Sequence, residues 1–379
     1  MTKRASPLMK IGDFSWPVSV RADAECELPV YAVTKHEGMV PSAEYFKKQV
    51  HSRSLEGYKV VERGQFGYAT IHLDEGSIGV LDTAEQCIIS PMYTVFEVDE
   101  NRVHAPYLLR VLKSPWALSH YATMGSGSVH RRRSISFETL SRLSVPLPDL
   151  MEQRSIAVIL DKADSLRRKR QEAIRLADEF LRSVFIDMFG TLDSQTHAQV
   201  SFGDIADLDA PMVDPTSDEY ADLLHVGPDR IEKGNGQLLE CETAREEGLI
   251  SKKFIFDERY VLYSKIRPAL KKCTLAEFRG LCSADMYPVR PVEGQVTREF
   301  IWGLLLSDAF DRYIVTLPDR ANIPKLNRTE LNAFQFRLPP INLQNKYSAI
   351  VSSTIKLKRR YQKFLAEADS LPASFQFFI

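Results

Sequence analysis

The clearest periodicity in the chain is a stripe of apolar positions that recurs every three or four residues over 150–189. This spacing is typical of a helix with one buried seam, as in a coiled coil. Pro148 ends the preceding segment, Asp149 with Glu152 has the form of a capped helix start, and Gly190 suits the helix end. The pattern predicts one helix of about 40 residues, roughly 60 Å long. The residues of this stripe expected at an interface are Ile156, Leu160, Leu166, Ile174 and Leu181.

A second stripe with the same spacing occupies residues 341–371 and follows Pro339-Pro340. Neither helix would be stable in water alone, so each stripe needs an apolar partner. The simplest partner is the other helix, and a head-to-tail duplication could place the two antiparallel. The alternative is that each helix packs on its own domain. The residues of the second stripe expected at the interface are Ile350, Leu357, Tyr361 and Phe364.

The chain repeats one plan twice, with an offset of 191 residues. Gly12-Asp13 matches Gly203-Asp204, and Pro148 matches Pro339. Gln153 likewise matches Gln344 at the same offset. The basic cluster 167–169 falls on 358–360, and the basic run 167–170 is interpreted as a solvated face or as a contact to phosphate or a partner. A common offset across the whole length indicates a duplicated unit, and each copy comprises a block of about 140 residues and a long helix.

Both blocks mix short strands with short helices. Residues 60–61, 66–71 and 93–98 read as strands in the first block, and residues 259–264 do so in the second. Segments 105–122 and 298–314 read as helical. Each block then ends with a polar loop and a short helix. The four predicted segments of the chain are residues 1–148, 149–190, 191–338 and 339–379.

The loops that close the blocks combine basic and amide side chains with turn residues. Arginine can pair with guanine edges and asparagine with adenine, while serine hydroxyls can contact phosphates. We therefore predict nucleic-acid contacts there and at a second basic segment, although solvated surface charge or contacts to a partner would explain the same residues. The predicted DNA-binding residues are Ser128, His130, Arg131, Arg132, Arg133, Lys265, Arg267, Lys271, Lys272, Arg320, Asn322 and Lys325.

The overall charge gives no support to a global DNA-binding field. The formal net charge is −1, and residues 191–338 carry 18 basic against 24 acidic side chains. Any binding of DNA must therefore use local basic loops, or a partner that supplies positive surface.

The sequence has no recognisable catalytic or metal-binding signature. Leu338-Pro339-Pro340-Ile341 lacks the leading polar residue of the amino-methyltransferase tetrapeptide, and no phosphate-binding loop occurs. The five cysteines include no Cys-x-x-Cys pair, so we expect neither a metal site nor a disulfide framework. No apolar run reaches the roughly 18 residues of a membrane span, and the N-terminus lacks a signal-peptide core. We expect a cytoplasmic, non-catalytic reader that does not bind membranes.

The region from Val145 to Gly190 resembles the central spacer of the Type I restriction–modification specificity subunits, the HsdS family. The resemblance rests on the proline motif, on Glu152-Gln153-Arg154 and on the long helix after them. Residues 263–268 also resemble a strand of the family's recognition domain. The second copy departs from the pattern, because Leu343-Gln344-Asn345 replaces the first triplet.

The resemblance implies an α+β fold: two mixed α/β target-recognition domains in tandem repeat, separated by two long antiparallel coiled-coil helices. Each domain would read one half of a split double-stranded DNA target with a gap of about one DNA turn, roughly 34 Å. The implied partners are two copies of a methylation subunit and a restriction subunit that translocates DNA. S-adenosylmethionine and ATP with magnesium would belong to those partners, with no cofactor in this chain.

Three alternatives remain at this point. A DNA-reading subunit of another defence system would share the fold but not the restriction partner. A coiled-coil scaffold that binds only proteins would show no salt-dependent affinity for DNA. A methyltransferase or nuclease with an unrecognised site would be active by itself.

Overall fold

The structure is a computed structural model that describes residues 6–46, 54–125, 134–190, 192, 197–318 and 324–369. The chain divides into two compact units. Unit 1 contains the described residues up to Lys169 and those from Leu365 onward, whereas unit 2 runs from Arg170 to Phe364. The division falls inside a long helix. Within the described ranges, no helix is long and apolar enough to cross a membrane.

Unit 1 packs short helices against antiparallel strands. Its strands are β1 (Leu8–Lys10), β2 (Ser15–Val18), β3 (Tyr31–Thr34), β4 (Gly38–Pro41), β5 (Lys59–Glu62), β6 (Phe66–Ala69), β7 (Ile78–Val80), β8 (Gln86–Ile89), β9 (Tyr93–Val98) and β10 (Ser144–Pro146). Its helices are α1 (Ser42–Tyr45), α2 (Ala105–Leu112), α3 (Pro115–Met124), α4 (Phe137–Ser141) and the first part of α5 (Leu150–Phe189). The main sheet has the order β2-β9-β6-β7, and β3-β4, β5-β8 and β1-β10 form separate pairs. Phe66, Tyr68, Phe96 and Tyr107 lie fully buried in its core.

Unit 2 repeats this plan with a second four-stranded sheet. Its strands are β11 (Ala198–Ser201), β12 (Ala206–Asp207), β13 (Met212–Val213), β14 (His225–Val226), β15 (Lys253–Phe256), β16 (Val261–Ser264), β17 (Cys273–Thr274), β18 (Gly280–Cys282), β19 (Met286–Pro291) and β20 (Gln335–Leu338). Its helices are the rest of α5, α6 (Phe202–Ile205), α7 (Arg298–Leu306), α8 (Asp308–Thr316), α9 (Arg328–Asn332) and most of α10 (Ile341–Asp369). The sheets have the orders β12-β19-β16-β17 and β13-β15-β18-β14, and β11 pairs with β20.

The elements agree with the apolar periodicity of the sequence. Strands β6, β9 and β16 lie within the predicted strand segments. Each of the two predicted helical segments forms two helices, because a serine caps the second helix of each pair. The Ser114 hydroxyl accepts from the N–H of Ala117 at 3.2 Å, and the Ser307 hydroxyl accepts from the N–H of Phe310 at 3.3 Å. Each cap stabilises a new helix start by satisfying an unpaired N–H group.

Each block is closed by a pair of strands from its two ends. Strand β1 pairs antiparallel with β10, and β11 pairs antiparallel with β20. The N–H of Ile11 donates to the carbonyl of Leu143 at 3.0 Å. The N–H of Phe202 donates to the carbonyl of Phe334 at 2.8 Å, at equivalent positions in the repeat. The two copies of the repeat are therefore closed by equivalent strand pairs.

The repeated Gly-Asp motif lies at this closure. A β-carbon on Gly12 would come within 3.1 Å of the Ser141 β-carbon, and one on Gly203 would come within 3.1 Å of the Asn332 β-carbon. Glycine therefore allows the first turn of each block to approach the short helix near its end. The aspartate that follows Gly203 accepts a hydrogen bond from the N–H of Ser201 at 2.8 Å.

Helix α5 begins and ends where its sequence signals predict. The N–H of Glu152 donates to the Asp149 carboxylate at 2.9 Å, which is the capping contact expected from the sequence. Gly190 adopts a φ of 61°, and its N–H donates to the carbonyl of Ile186 at 2.7 Å. This left-handed glycine ends the helix at little steric cost.

Within unit 2, the second part of α5 runs antiparallel to α10. The rings of Phe185 and Tyr347 lie 5.5 Å apart near one end of the pair. Further along, Lys358 forms an ion pair with Asp178, and the Arg170 guanidinium lies 4.9 Å from the centre of the Phe364 ring. Residue numbers rise along one helix as they fall along the other. The predicted α+β fold with two long antiparallel helices is confirmed.

Candidate nucleic-acid interface

The closing loop of the first block lies largely outside the described residues. Ser128, His130, Arg131, Arg132 and Arg133 all fall there, so their assignment to DNA binding stays a prediction.

The chain after this loop is anchored on the main sheet of unit 1. The N–H of Ile135 donates to the carbonyl of Thr70 at 2.9 Å, and the hydroxyl of Tyr68 donates to the carbonyl of Ile135 at 3.1 Å. The described chain therefore resumes directly beside β6.

In unit 2, two of the predicted segments meet. We call residues 265–272 and 324–326 together the basic platform. The N–H of Arg267 donates to the carbonyl of Pro324 at 2.8 Å. The N–H of Leu326 donates to the carbonyl of Lys265 at 2.8 Å. Arg320 and Asn322 lie outside the described residues. The platform thus joins the basic segment after β16 to the last residues of the closing loop.

Most cations of the platform contact acceptors of the protein itself. The Lys272 ammonium donates to the carbonyl of Pro228 at 2.6 Å. The Lys265 ammonium donates to the carbonyl of Ala284 and lies 5.6 Å from the Tyr287 ring centre. Lys325 lies 3.5 Å from the Asp285 carboxylate. These contacts reduce the positive charge that the platform presents to solvent.

Lys271 is the most strongly compensated of these lysines. Its ammonium forms ion pairs with Asp311 and, at 3.7 Å, with Asp308, and it donates to the carbonyl of Leu306 at 3.3 Å. Its side chain is 21% exposed. The backbone of Lys271 is left-handed, with a φ of 49°, which is unusual for a residue with a β-carbon. The fold therefore uses Lys271 to tie the platform to α8.

The predicted interface residues of the two helices have different surroundings. Ile156 packs against the core of unit 1, and Leu181 belongs to the core of unit 2. Ile350 packs against that second core. Leu160 is buried, Ile174 and Tyr361 are half-buried, and Phe364 is 38% exposed. Leu166 and Leu357 are 52% and 46% exposed.

Two glutamines outside the predicted site hold each long helix to its own block. The buried Gln153 amide donates to the carbonyls of Pro148 and Arg102 at 2.8 Å each, and its oxygen accepts from the N–H of His104 at 2.8 Å. The buried Gln344 contacts Pro339, Gln295 and Thr297 in the same way. The repeat aligns the two glutamines, and this was the sequence signal that could have revealed their role.

A salt bridge that the sequence did not indicate ties α2 to α5 in unit 1. The Arg110 guanidinium contacts the carboxylates of Asp161, at 2.6 Å, and Asp164. The two aspartates are three residues apart and share one helix face. The salt bridges of Arg110 and the hydrogen bonds of Gln153 together hold the first part of α5 to the block that precedes it.

Comparison with known proteins shows what the chain is similar to. No protein-family model matches the sequence. Over 170 residues it is 30% identical to the Type I restriction enzyme EcoDI specificity subunit of Escherichia coli. The match covers 45% of this chain and 35% of that relative, so it spans about a third of the relative's length.

Among solved structures, the S subunit of a Type I restriction–modification system from M. genitalium superposes with a TM-score of 0.62 at 12% identity, covering 100% of this chain and 97% of that one. The resemblance to Type I specificity subunits is confirmed. The likeness in fold to that S subunit extends over both repeats, whereas the sequence match covers less than half of the chain.

The structural role of Lys271 can be tested by substitution. Lys271→Ala is expected to lower the free energy of unfolding by about 1–2 kcal/mol, because it leaves Asp311 without its cation. Lys271→Gly is expected to be more stable than Lys271→Ala by roughly 1 kcal/mol, because glycine adopts a positive φ without strain. Urea unfolding of the full chain measures both, with the exposed Lys252→Ala as control. Equal stability of the alanine and glycine variants would contradict the left-handed backbone at this position.

Proposed function

We propose that this chain is the DNA-specificity subunit of a Type I restriction–modification complex. It reads a bipartite double-stranded DNA target, one half-site per block, and performs no chemistry itself. The observation that carries the proposal is the duplication of one closed block and one anchored helix, in a chain similar to a curated specificity subunit. Two copies of one reading module suit a target made of two half-sites.

The proposed mechanism separates reading from chemistry. Each block presents its closing loop to one half-site, and the helices between the blocks leave the intervening bases unread. Two methylation subunits dock on the long helices and supply S-adenosylmethionine, and a restriction subunit that translocates DNA supplies ATP and magnesium. The exposed side chains of Leu166 and Leu357 are available for such docking, since large apolar groups in water favour contact with a partner.

The proposal is tested by sequencing the methylome of the host with and without this gene. We expect methylation to disappear at a two-part motif with a constant gap, and to return when the gene is restored on a plasmid. Loss at one continuous motif would contradict the bipartite reading. If no methylated motif depends on the gene, the proposed methylation partnership is wrong, and a reader for another defence system or a protein-binding scaffold becomes the better hypothesis.

A further inference from the structure

Arg267 differs from the other cations of the basic platform. Its side chain is exposed, and within the described part of the chain no residue accepts a hydrogen bond from its guanidinium or forms an ion pair with it. Lys265, Lys271, Lys272 and Lys325 each have a described acceptor or carboxylate partner. The full positive charge of Arg267 is therefore available to an external group.

The backbone of Arg267 is held in a defined conformation. Its φ of 48° and ψ of 60° are left-handed, a conformation that costs a residue with a β-carbon roughly 1–2 kcal/mol. Its N–H donates to the carbonyl of Pro324 at 2.8 Å, and its carbonyl accepts from the N–H of Leu270 at 2.9 Å. Such a conformation persists only where the surroundings impose it, here through the hydrogen bonds to Pro324 and Leu270.

Arg267 stands at the edge of a cleft of about 540 Å³ between the platform and α8. Most of the lining is apolar and includes Leu270, Ile314 and Val315. Val315 is 84% exposed. An arginine beside an apolar surface suits the edge of a base pair, which offers hydrogen-bond acceptors next to apolar groups.

We propose that Arg267 reads a guanine in the half-site of unit 2, donating from both arms of its guanidinium to N7 and O6 in the major groove. The lysines of the platform then serve mainly to hold the loop in shape. The planar guanidinium can donate two parallel hydrogen bonds to the two acceptors of guanine, and the same fork also fits a phosphate. The apolar wall of the cleft beside Arg267 favours a base edge over a phosphate. This inference rests on the proposed function, because it names the base chemistry of one half of that site.

The test is selection from a random pool of double-stranded DNA. The full chain carries an affinity tag and is purified from its host with the subunits that accompany it. Wild type, Arg267→Lys, Arg267→Ala and the control Arg290→Ala, an exposed arginine outside the platform, are compared. In both Arg267 variants, we expect the preference for guanine over the other bases at one position of one half-site to fall about ten- to hundredfold. The other half-site should be selected as before, which shows that the complex is intact.

Each other outcome overturns part of the argument. If both variants enrich the wild-type motif with unchanged affinity, Arg267 does not contact DNA. If affinity falls equally for all sequences, and only Arg267→Ala makes the salt dependence shallower, Arg267 binds a phosphate and the proposed base reading is wrong. A wild-type complex that enriches no motif contradicts the proposed function itself, and the inference fails with it.

Discussion

Replacing Gln344 with leucine is expected to destabilise unit 2 by about 3 kcal/mol. The Gln344 side chain is fully buried, and its amide makes hydrogen bonds to backbone groups on two sides. Leucine has a similar size but leaves the N–H of Thr297 and the carbonyls of Pro339 and Gln295 without this partner. Each buried group that loses its hydrogen bond costs roughly 1–3 kcal/mol, partly offset by the apolar side chain. Chemical denaturation of the full chain measures the loss.

The duplicated fold supplies a matched pair of controls. Gln153→Leu removes the equivalent contacts in unit 1 and should cost a similar amount there. Asn345→Leu changes an exposed neighbour on α10 and should shift the free energy of unfolding by no more than about 0.5 kcal/mol. If Gln344→Leu is as stable as Asn345→Leu, the amide does not hold the helix to its block.

Breaking the ion pair between Lys358 and Asp178 is expected to have a second large effect. The two side chains are only 9% and 17% exposed between α5 and α10. Lys358→Met leaves the carboxylate of Asp178 with little water and no cation, which typically costs about 3–5 kcal/mol. The double variant Asp178→Leu with Lys358→Met removes both charges and should lie within about 1 kcal/mol of wild type, or exceed it in stability. A double-mutant cycle measured by urea unfolding gives the coupling.

Arg359, the next residue on α10, offers a control in which an exposed ion pair is broken instead of a buried one. Arg359 forms an ion pair with Glu277, but these side chains are 46% and 40% exposed. Arg359→Met should therefore cost less than about 1 kcal/mol, because water screens an exposed pair. Equal losses from Lys358→Met and Arg359→Met would mean that burial between the two helices does not strengthen the first ion pair.

Local signals in the sequence were sufficient to predict the two long helices. The cap at Asp149, the stop at Gly190 and the apolar stripe between them depend on neighbours within a few positions, so the sequence alone reveals them. The common offset of 191 residues predicted two copies of one unit, and the structure has equivalent hydrogen bonds in the two copies at Ile11 and Phe202. Because the unit is duplicated, one sequence was sufficient to identify equivalent positions that lie 191 residues apart.

Contacts between distant positions could not be predicted in this way. The repeat aligned Lys358 with the basic cluster 167–169, yet this lysine forms an ion pair with Asp178, which lies 180 positions earlier. Helical spacing identifies which residues share a face, but not which residue of another element lies opposite. Gly303 is a further example. A β-carbon there would come within 2.5 Å of Phe185 and 2.6 Å of the Tyr347 hydroxyl. Helix α7 can therefore pack this closely on α5 and α10 only because position 303 is a glycine.

The candidate site was predictable in composition but not in conformation. The sequence grouped Lys265, Arg267 and Lys271 by charge alone. The left-handed backbone at two of them, and the acidic partners of Lys271, follow from the packing of the platform on α8. Charge density indicates where a polyanion could bind, whereas the availability of each charge depends on its folded neighbours.

The paired strands that close each block bear on how such a protein can change over time. Because Leu8 lies opposite Pro146, and Ala198 opposite Leu338, the chain enters and leaves each block at adjacent points. Substitutions, or even the exchange of a whole block, need to preserve only this narrow junction for the following helix to start correctly. Recombination at the two strand pairs would therefore exchange a whole block and leave the sequence of the long helices unchanged.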